Sequence, residues 1–154
     1  MVMNNDTITL PYSNSNKPIR VLFLLMVLCC SFLQAQEPSS FKWKNRLILI
    51  LVSDITEDVY IKQIAELNSH IKGLNERKLL VYHIQPNRYK IGLEAYTWQQ
   101  SKQLYHQYKK SQYPFEIILL GLDGGNKLQS TTFLSCKDLF DTIDAMPMRT
   151  REKQ

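Results

Sequence analysis

Cysteine is the residue type in this chain with the widest chemical reach, and its spacing limits what it can do. Cys29 and Cys30 are adjacent within an apolar run, and Cys136 stands alone far from both. A redox thiol acts as a thiolate and is usually answered by a second cysteine three residues on. Cys136 has no such partner. It follows Ser135, and Ser135-x-x-Asp138 has the form of a capping box with aspartate for glutamate, which puts Cys136 at the first helical position. Unpaired backbone N–H groups there can lower a thiol pKa, so Cys136 is the one catalytic candidate, for one-cysteine oxidoreductase-like or antioxidant chemistry. The competing and weightier account is a small residue tolerated at a helix start. His70, His83 and His106 share no metal spacing, H-E-x-x-H is absent, and no second cysteine joins them, so neither a metal nor a cofactor is expected. Asp123-Gly124-Gly125 resembles a phosphate loop only superficially. It lacks the lysine and hydroxyl residue directly after the glycines and leads into a strand, which makes it a hairpin turn.

The elements that must position these residues are legible from periodicity. Residues 47–52 form an uninterrupted aliphatic run ending at Ser53-Asp54, as in a central strand buried on both faces. A helix is predicted to start between Asp54 and Asp58, capped by Asp54 or Thr56, with Glu57 and Asp58 in the dipole-favoured first turn. Tyr60, Ile64, Leu67, Ile71 and Leu74 fall at i, i+4, i+7, i+11 and i+14, one apolar stripe, and Gly73 marks its fraying or stop. A second strand follows over 78–84, then a loop over 85–96 containing Pro86, Asn87 and Gly92. A helix is predicted over about 97–110. Pro114 opens a third apolar strand, 115–121, which turns at Asp123-Gly124 and returns antiparallel over 127–130. The final helix carries Leu139, Phe140 and Ile143, and Pro147 stops it. The order β-α-β-α-β-β-α, with a right-handed crossover between the first two strands, predicts an α/β, thioredoxin-like fold. Its mixed central sheet would carry helices on both faces.

In such a fold the reactive corner lies at the start of the first helix, opposite a proline. Here that pairs Ser53-Asp54-Ile55-Thr56 with Tyr113-Pro114. Redox exchange needs a thiolate at that corner, and Asp54, Glu57 and Asp58 would oppose one. Ser53 is a weak nucleophile with no adjacent base. The scaffold is therefore read as kept and the thiol chemistry as lost. Tyr89, Tyr96, Trp98, Tyr105, Tyr108 and Tyr113 gather around the loop and second helix and could form a recognition surface for a peptide or glycan. Core packing is the commoner use of such residues. Asp144, Arg149 and Glu152 could form an ion-pair cluster around Met146-Pro147-Met148, more often a helix-end lock than a site, although exposed methionines suit a partner.

Leu120-Gly121-Leu122-Asp123-Gly124-Gly125-Asn126-Lys127-Leu128 with Ser130, and Ile143-Asp144-Ala145-Met146-Pro147-Met148-Arg149 followed by Glu152, resemble a family catalogued as domain of unknown function 4174. The resemblance covers residues 42–152. It implies a thioredoxin-like fold in short exported bacterial proteins, related to domains of animal sushi-repeat extracellular proteins, and it implies no reaction. The chain departs from the family pattern at Leu122, where lysine is common, and at Tyr105, where arginine is frequent.

The N-terminal region addresses location. Lys17 and Arg20 precede a run of 13 apolar or small residues, 21–33, followed by Gln34-Ala35-Gln36. This is the layout of a secretory signal, and the run falls short of the roughly 20 residues that span a bilayer. Cleavage after Ala35 would leave 154 − 35 = 119 residues with charge (19 − 2) − (14 − 1) = +4 and Cys136 as the remaining thiol. No intramolecular disulfide could then form. The expected division is a signal over 1–35, a polar lead-in over 36–45, the domain over 46–146 and a tail over 147–154. That places the protein in the periplasm or outside the cell, with no stable membrane span after cleavage. The positive residues are scattered rather than striped, which argues against nucleic acid as a partner.

Overall fold

The computed structural model describes residues 38–94 and 97–152. The expected signal with Cys29 and Cys30, and Tyr96 of the aromatic group, lie outside the described residues. Strand β1 (Arg46–Val52) is buried along its whole length. Successive side chains of a strand point to opposite faces, so Ile48, Ile50 and Val52 enter one apolar cluster and Leu47, Leu49 and Leu51 the other. That double burial is why the segment reads as a continuous aliphatic run. β1 pairs in parallel with β2 (Leu79–Gln85), from Arg46 opposite Leu79 to Leu51 opposite Ile84. On its other side it pairs antiparallel with β5 (Phe115–Leu120).

β6 (Asn126–Ser130) pairs antiparallel with β5, and β3 (Arg88–Ile91) and β4 (Gln99–Gln100) extend the sheet beyond β2. The resulting order is β4-β3-β2-β1-β5-β6. The four strands β2-β1-β5-β6 have the order and polarity of a thioredoxin-like core. Helices α1 (Asp58–Ser69), α2 (Ile71–Glu76) and α4 (Cys136–Asp144) cover the Ile48 face through Tyr60, Leu67, Leu74, Leu139 and Ile143. α3 (Gln103–Tyr108) covers the other face through Leu104, with Tyr105 and Tyr108 packed at its margin. No helix among the described residues is long and apolar enough to cross a membrane.

The structure revises several local expectations. The 85–96 loop contains β3, joined to β2 by the tight turn at Pro86-Asn87, with Gln85 opposite Arg88. Turn residues hid the strand, and its alternation is plain only once Tyr89 is seen to be buried. The helix expected over 97–110 shrinks to six residues, because Gln99 and Gln100 pair with Tyr89 and Arg88 and Ser101 N donates to Asn87 O at 3.0 Å. Available strand pairing overrides weak helix propensity there. α1 begins at Asp58, and Asp54 instead closes an Asx turn, its Oδ1 accepting from Thr56 N at 2.9 Å.

The apolar stripe is also broken. The helix is interrupted at His70, and Ile71 is exposed rather than core-facing. Gly73 lies inside α2, where a Cβ would meet the Phe140 ring at 2.7 Å, so the glycine permits close approach of α4 rather than ending a helix. Pro147 does more than stop α4. It opens α5 (Pro147–Glu152), in the first-turn position that suits a residue lacking N–H. Ser135 caps α4, accepting from Asp138 N at 3.1 Å.

Candidate functional site

Ser53 leaves β1 beside Pro114, and Ser53 N donates to Pro114 O at 3.1 Å. Its hydroxyl lies 3.3 Å from the Tyr105 hydroxyl, and its carbonyl accepts from Gln85 Nε2 at 3.3 Å. Gln85 Oε1 in turn accepts from Arg88 Nε at 2.8 Å, and the Arg88 guanidinium lies 4.6 Å from the centre of the Trp98 ring. Lys90 Nζ approaches the same ring at 5.5 Å. Tyr105, Ser53, Gln85, Arg88 and Trp98 are thus linked in one chain of contacts across the ends of β1, β2 and the β3–β4 hairpin. The backbone N–H of Thr56 holds the Asp54 carboxyl below its ordinary pKa, keeping a negative charge at the start of α1.

Opposite this chain, Tyr113 is 57% exposed, and its carbonyl accepts from Lys109 Nζ. The described peptide bonds, including that before Pro114, are trans. Glu116 secures the approach to Pro114 from within. It is fully buried and accepts from Ser111 N at 3.1 Å, Ser111 Oγ at 2.9 Å and Lys110 N at 3.3 Å, with Gln129 Nε2 on its other oxygen. Burial alone would raise its pKa. The Ser111 and Lys110 hydrogen bonds and the Lys109 charge outweigh burial and hold it low.

The structure divides the aromatic group. Tyr89 is wholly buried, stacked on Tyr82 with ring centres 6.1 Å apart, and belongs to the core. Tyr105 and Tyr108 are partly buried against the same cluster. Tyr113 is exposed and Trp98 half-buried, with Tyr105 presenting its hydroxyl to Ser53. The corner therefore offers hydroxyls, amides, aromatic faces and cations, but no thiol and no base beside Ser53.

Cys136 is wholly buried, and its environment is the reverse of an activating one. Its backbone N–H, which would otherwise favour a thiolate, donates to Glu66 Oε1 at 2.8 Å. Burial, and after it the Glu66 charge and hydrogen bond, push the thiol pKa up to about 12. His70, which shares no metal spacing with the other histidines in the sequence, joins this place in the fold. Ligand atoms of Glu66, His70 and Cys136 lie within 4.8 Å of one another. That spread exceeds the roughly 3.3–3.8 Å separations set by tetrahedral zinc bonds. The set is open, and its thiol is protonated. His83 is buried, bonded to the Tyr60 hydroxyl at 2.8 Å, and pushed down to about 3 by burial and then by Lys90.

Arg149 is 4% exposed and locks the end of α4, as one of the two sequence expectations held. It reaches Glu76 Oε1 at 2.6 Å, Asp144 Oδ1 at 3.2 Å and Glu152 Oε2 at 3.5 Å. Arg77 pairs with Asp144 at 2.6 Å, and Arg46 with Glu152 at 3.0 Å. Sequence reasoning missed Gln85, Arg88, Glu116 and Arg46. A lone carboxylate inside an apolar strand was the available signal for Glu116, and an arginine flush with an aliphatic run was the signal for Arg46.

A family profile described as domain of unknown function (DUF4174) matches residues 37–152. Among solved structures, the chain is similar to the reduced 2-Cys peroxiredoxin of Plasmodium vivax, with a TM-score of 0.51 and 12% identity, covering 76% of this chain and 85% of that one. At that identity the likeness is one of fold. No curated protein matches the chain.

Proposed function

Because the chain belongs to the family of domain of unknown function 4174, which brings a fold and no reaction, we propose that it is an exported binding module on a thioredoxin-like scaffold without redox cysteines. The surface proposed to bind is the corner formed by Ser53, Tyr105, Tyr113, Pro114 and Trp98, and the partner class is a peptide or glycan. Export rests on the basic residues and short apolar run ahead of residue 36. The observation that carries the binding assignment is the corner itself. Where a redox domain places a thiol, Ser53 presents a hydroxyl to Tyr105, and the neighbouring polar groups are arranged as a contact chain ending on the half-buried Trp98 ring. Aromatic faces flanked by cations and amides suit peptide and sugar recognition.

The alternative, a one-cysteine antioxidant acting through Cys136, runs against a buried thiol pushed up to about 12 by burial and the neighbouring Glu66. One experiment separates the two. Wild type, Cys136→Ser, Tyr105→Ala and Trp98→Ala are assayed for disulfide and peroxide turnover and screened on peptide and glycan arrays. Binding lost in Tyr105→Ala or Trp98→Ala and retained in Cys136→Ser supports the module. Turnover that disappears in Cys136→Ser would overturn it.

A further inference from the structure

At the end of the sheet opposite the corner, the backbone holds a tryptophan in a conformation that favours glycine. Trp43 lies between the 3₁₀ turn Pro38–Phe41 and β1, with φ at 67° and 62% of its surface exposed. The turn is fixed by hydrogen bonds. Trp43 N donates to Leu122 O at 2.7 Å, and Lys44 N and Asn45 N both donate to Phe41 O at 2.9 Å. The left-handed region strains a bulky residue, and an indole left in water returns little burial for that strain. Folding alone would favour glycine at position 43, so the ring calls for a contact outside the chain.

The surrounding charges select the contact. Lys42 and Lys44 are exposed, and neither makes an ion pair among the described residues. Lys42 Nζ lies 5.7 Å from the Trp43 ring centre. Carboxylates at this end are engaged, Asp123 with Lys127 at 2.7 Å and Glu152 with Arg46 at 3.0 Å and Lys78 at 3.6 Å. Exposed Pro147 and Met148 stand near Leu122 on the same end of the sheet. A ring with one polar N–H, set between two cations, matches the boundary between lipid headgroups and acyl chains. Anionic headgroups supply the counter-charge that the lysines lack. The chain also brings this end to lipid. The apolar run 21–33 ends 43 − 33 = 10 residues before Trp43, at most about 35 Å of extended backbone.

We propose that Lys42-Trp43-Lys44 binds the surface of a bilayer that contains anionic phospholipid. The indole lies at the headgroup level and the two lysines on phosphates. This surface is separate from the corner and does not depend on its role.

The test uses residues 36–154, which form a compact unit by themselves and lack the apolar run that would itself enter lipid. Vesicles of equimolar phosphatidylglycerol and phosphatidylcholine are compared with phosphatidylcholine alone. Co-sedimentation is expected to show binding at least about tenfold tighter to the anionic vesicles, lost at high salt. In Trp98→Phe, where Trp43 is the remaining tryptophan, emission is expected to shift to the blue on binding. Trp43→Gly suits the backbone, so its urea midpoint should hold or rise while binding falls by about tenfold or more. Lys42→Gln and Lys44→Gln should each weaken binding by about fivefold. Equal binding to both vesicles, binding that survives Trp43→Gly, or binding that is lost in Trp98→Phe would each overturn the proposal. So would a lowered urea midpoint in Trp43→Gly, which returns the ring to the fold, or a lipid-free dimer abolished by Trp43→Gly, which gives the face to a second copy.

Discussion

A thiol attacks only as its thiolate, and Cys136 sits where that form is least stable. Its pKa moves from 9.0 to about 12 through burial and the adjacent Glu66, so the thiolate fraction at pH 8 falls by about a thousandfold relative to a free thiol. Alkylation of the native chain by iodoacetamide is accordingly expected to be at least that much slower than in urea. Equal rates would show that the thiol is open. His83 makes a second prediction, about pH. The unfolded imidazole takes up a proton below 6.5, whereas the buried one remains neutral until about 3. The unfolded state thus binds more protons in that window, and stability falls as pH falls through it. Between pH 6.5 and 4.5 the loss is about 2 kcal/mol. Glu116 acts in the same direction lower down. Its contribution is complete above the ordinary carboxyl value of 4.5 and fades as pH falls through its lowered native pKa. Urea unfolding at pH 7.5 and 4.5 checks this, and His83→Gln should flatten the upper part of the slope.

At the scale of elements, Gly73 is where local propensity and packing disagree most clearly. Alanine is the better helix former by about 1 kcal/mol. A Cβ at 73 would nevertheless meet the Phe140 ring at 2.7 Å, and that ring also packs against the Arg77 guanidinium at 4.2 Å. Overpacking costs about 1–3 kcal/mol, so Gly73→Ala should destabilise the fold in chemical denaturation, and adding Phe140→Leu should restore much of the loss. The same contrast explains what the chain made legible. β1 and β5 could be read directly because burial on both faces leaves an unbroken apolar run, and the α4 cap because its chemistry is local to Ser135 and Asp138. β3 and β4 could not, since their identity lies in pairing, β3 with β2 across the Pro86-Asn87 turn and β4 with β3. At the corner, Ser53 and Pro114 were legible as positions in a known element order. Gln85 and Arg88 were not, because their roles exist only once Gln85 reaches the Ser53 carbonyl, 32 residues away. Arg46 escaped notice for the same reason, at a separation of 106 residues.

At the scale of the whole molecule, α5 ties the start of the sheet, the end of α2 and the end of α4 together through Arg149, Glu152 and Asp144. Arg149 is buried but its carboxylate partners are partly exposed, Glu76 to 62%, so removing it is expected to cost about 1–3 kcal/mol, below the range of a fully buried pair. Arg149→Ala is therefore expected to lower the unfolding free energy by about that amount, and an effect below about 1 kcal/mol would show the network to be incidental. A chain stopped at residue 145 should lack the cooperative transition altogether. This arrangement bears on biosynthesis. The first strand's arginine finds its carboxylate only when residue 152 has been made, so a nascent polypeptide emerging from the ribosome lacks its final clasp until translation has passed that point. Such late closure would delay tight folding until the last helix has cleared the ribosomal tunnel.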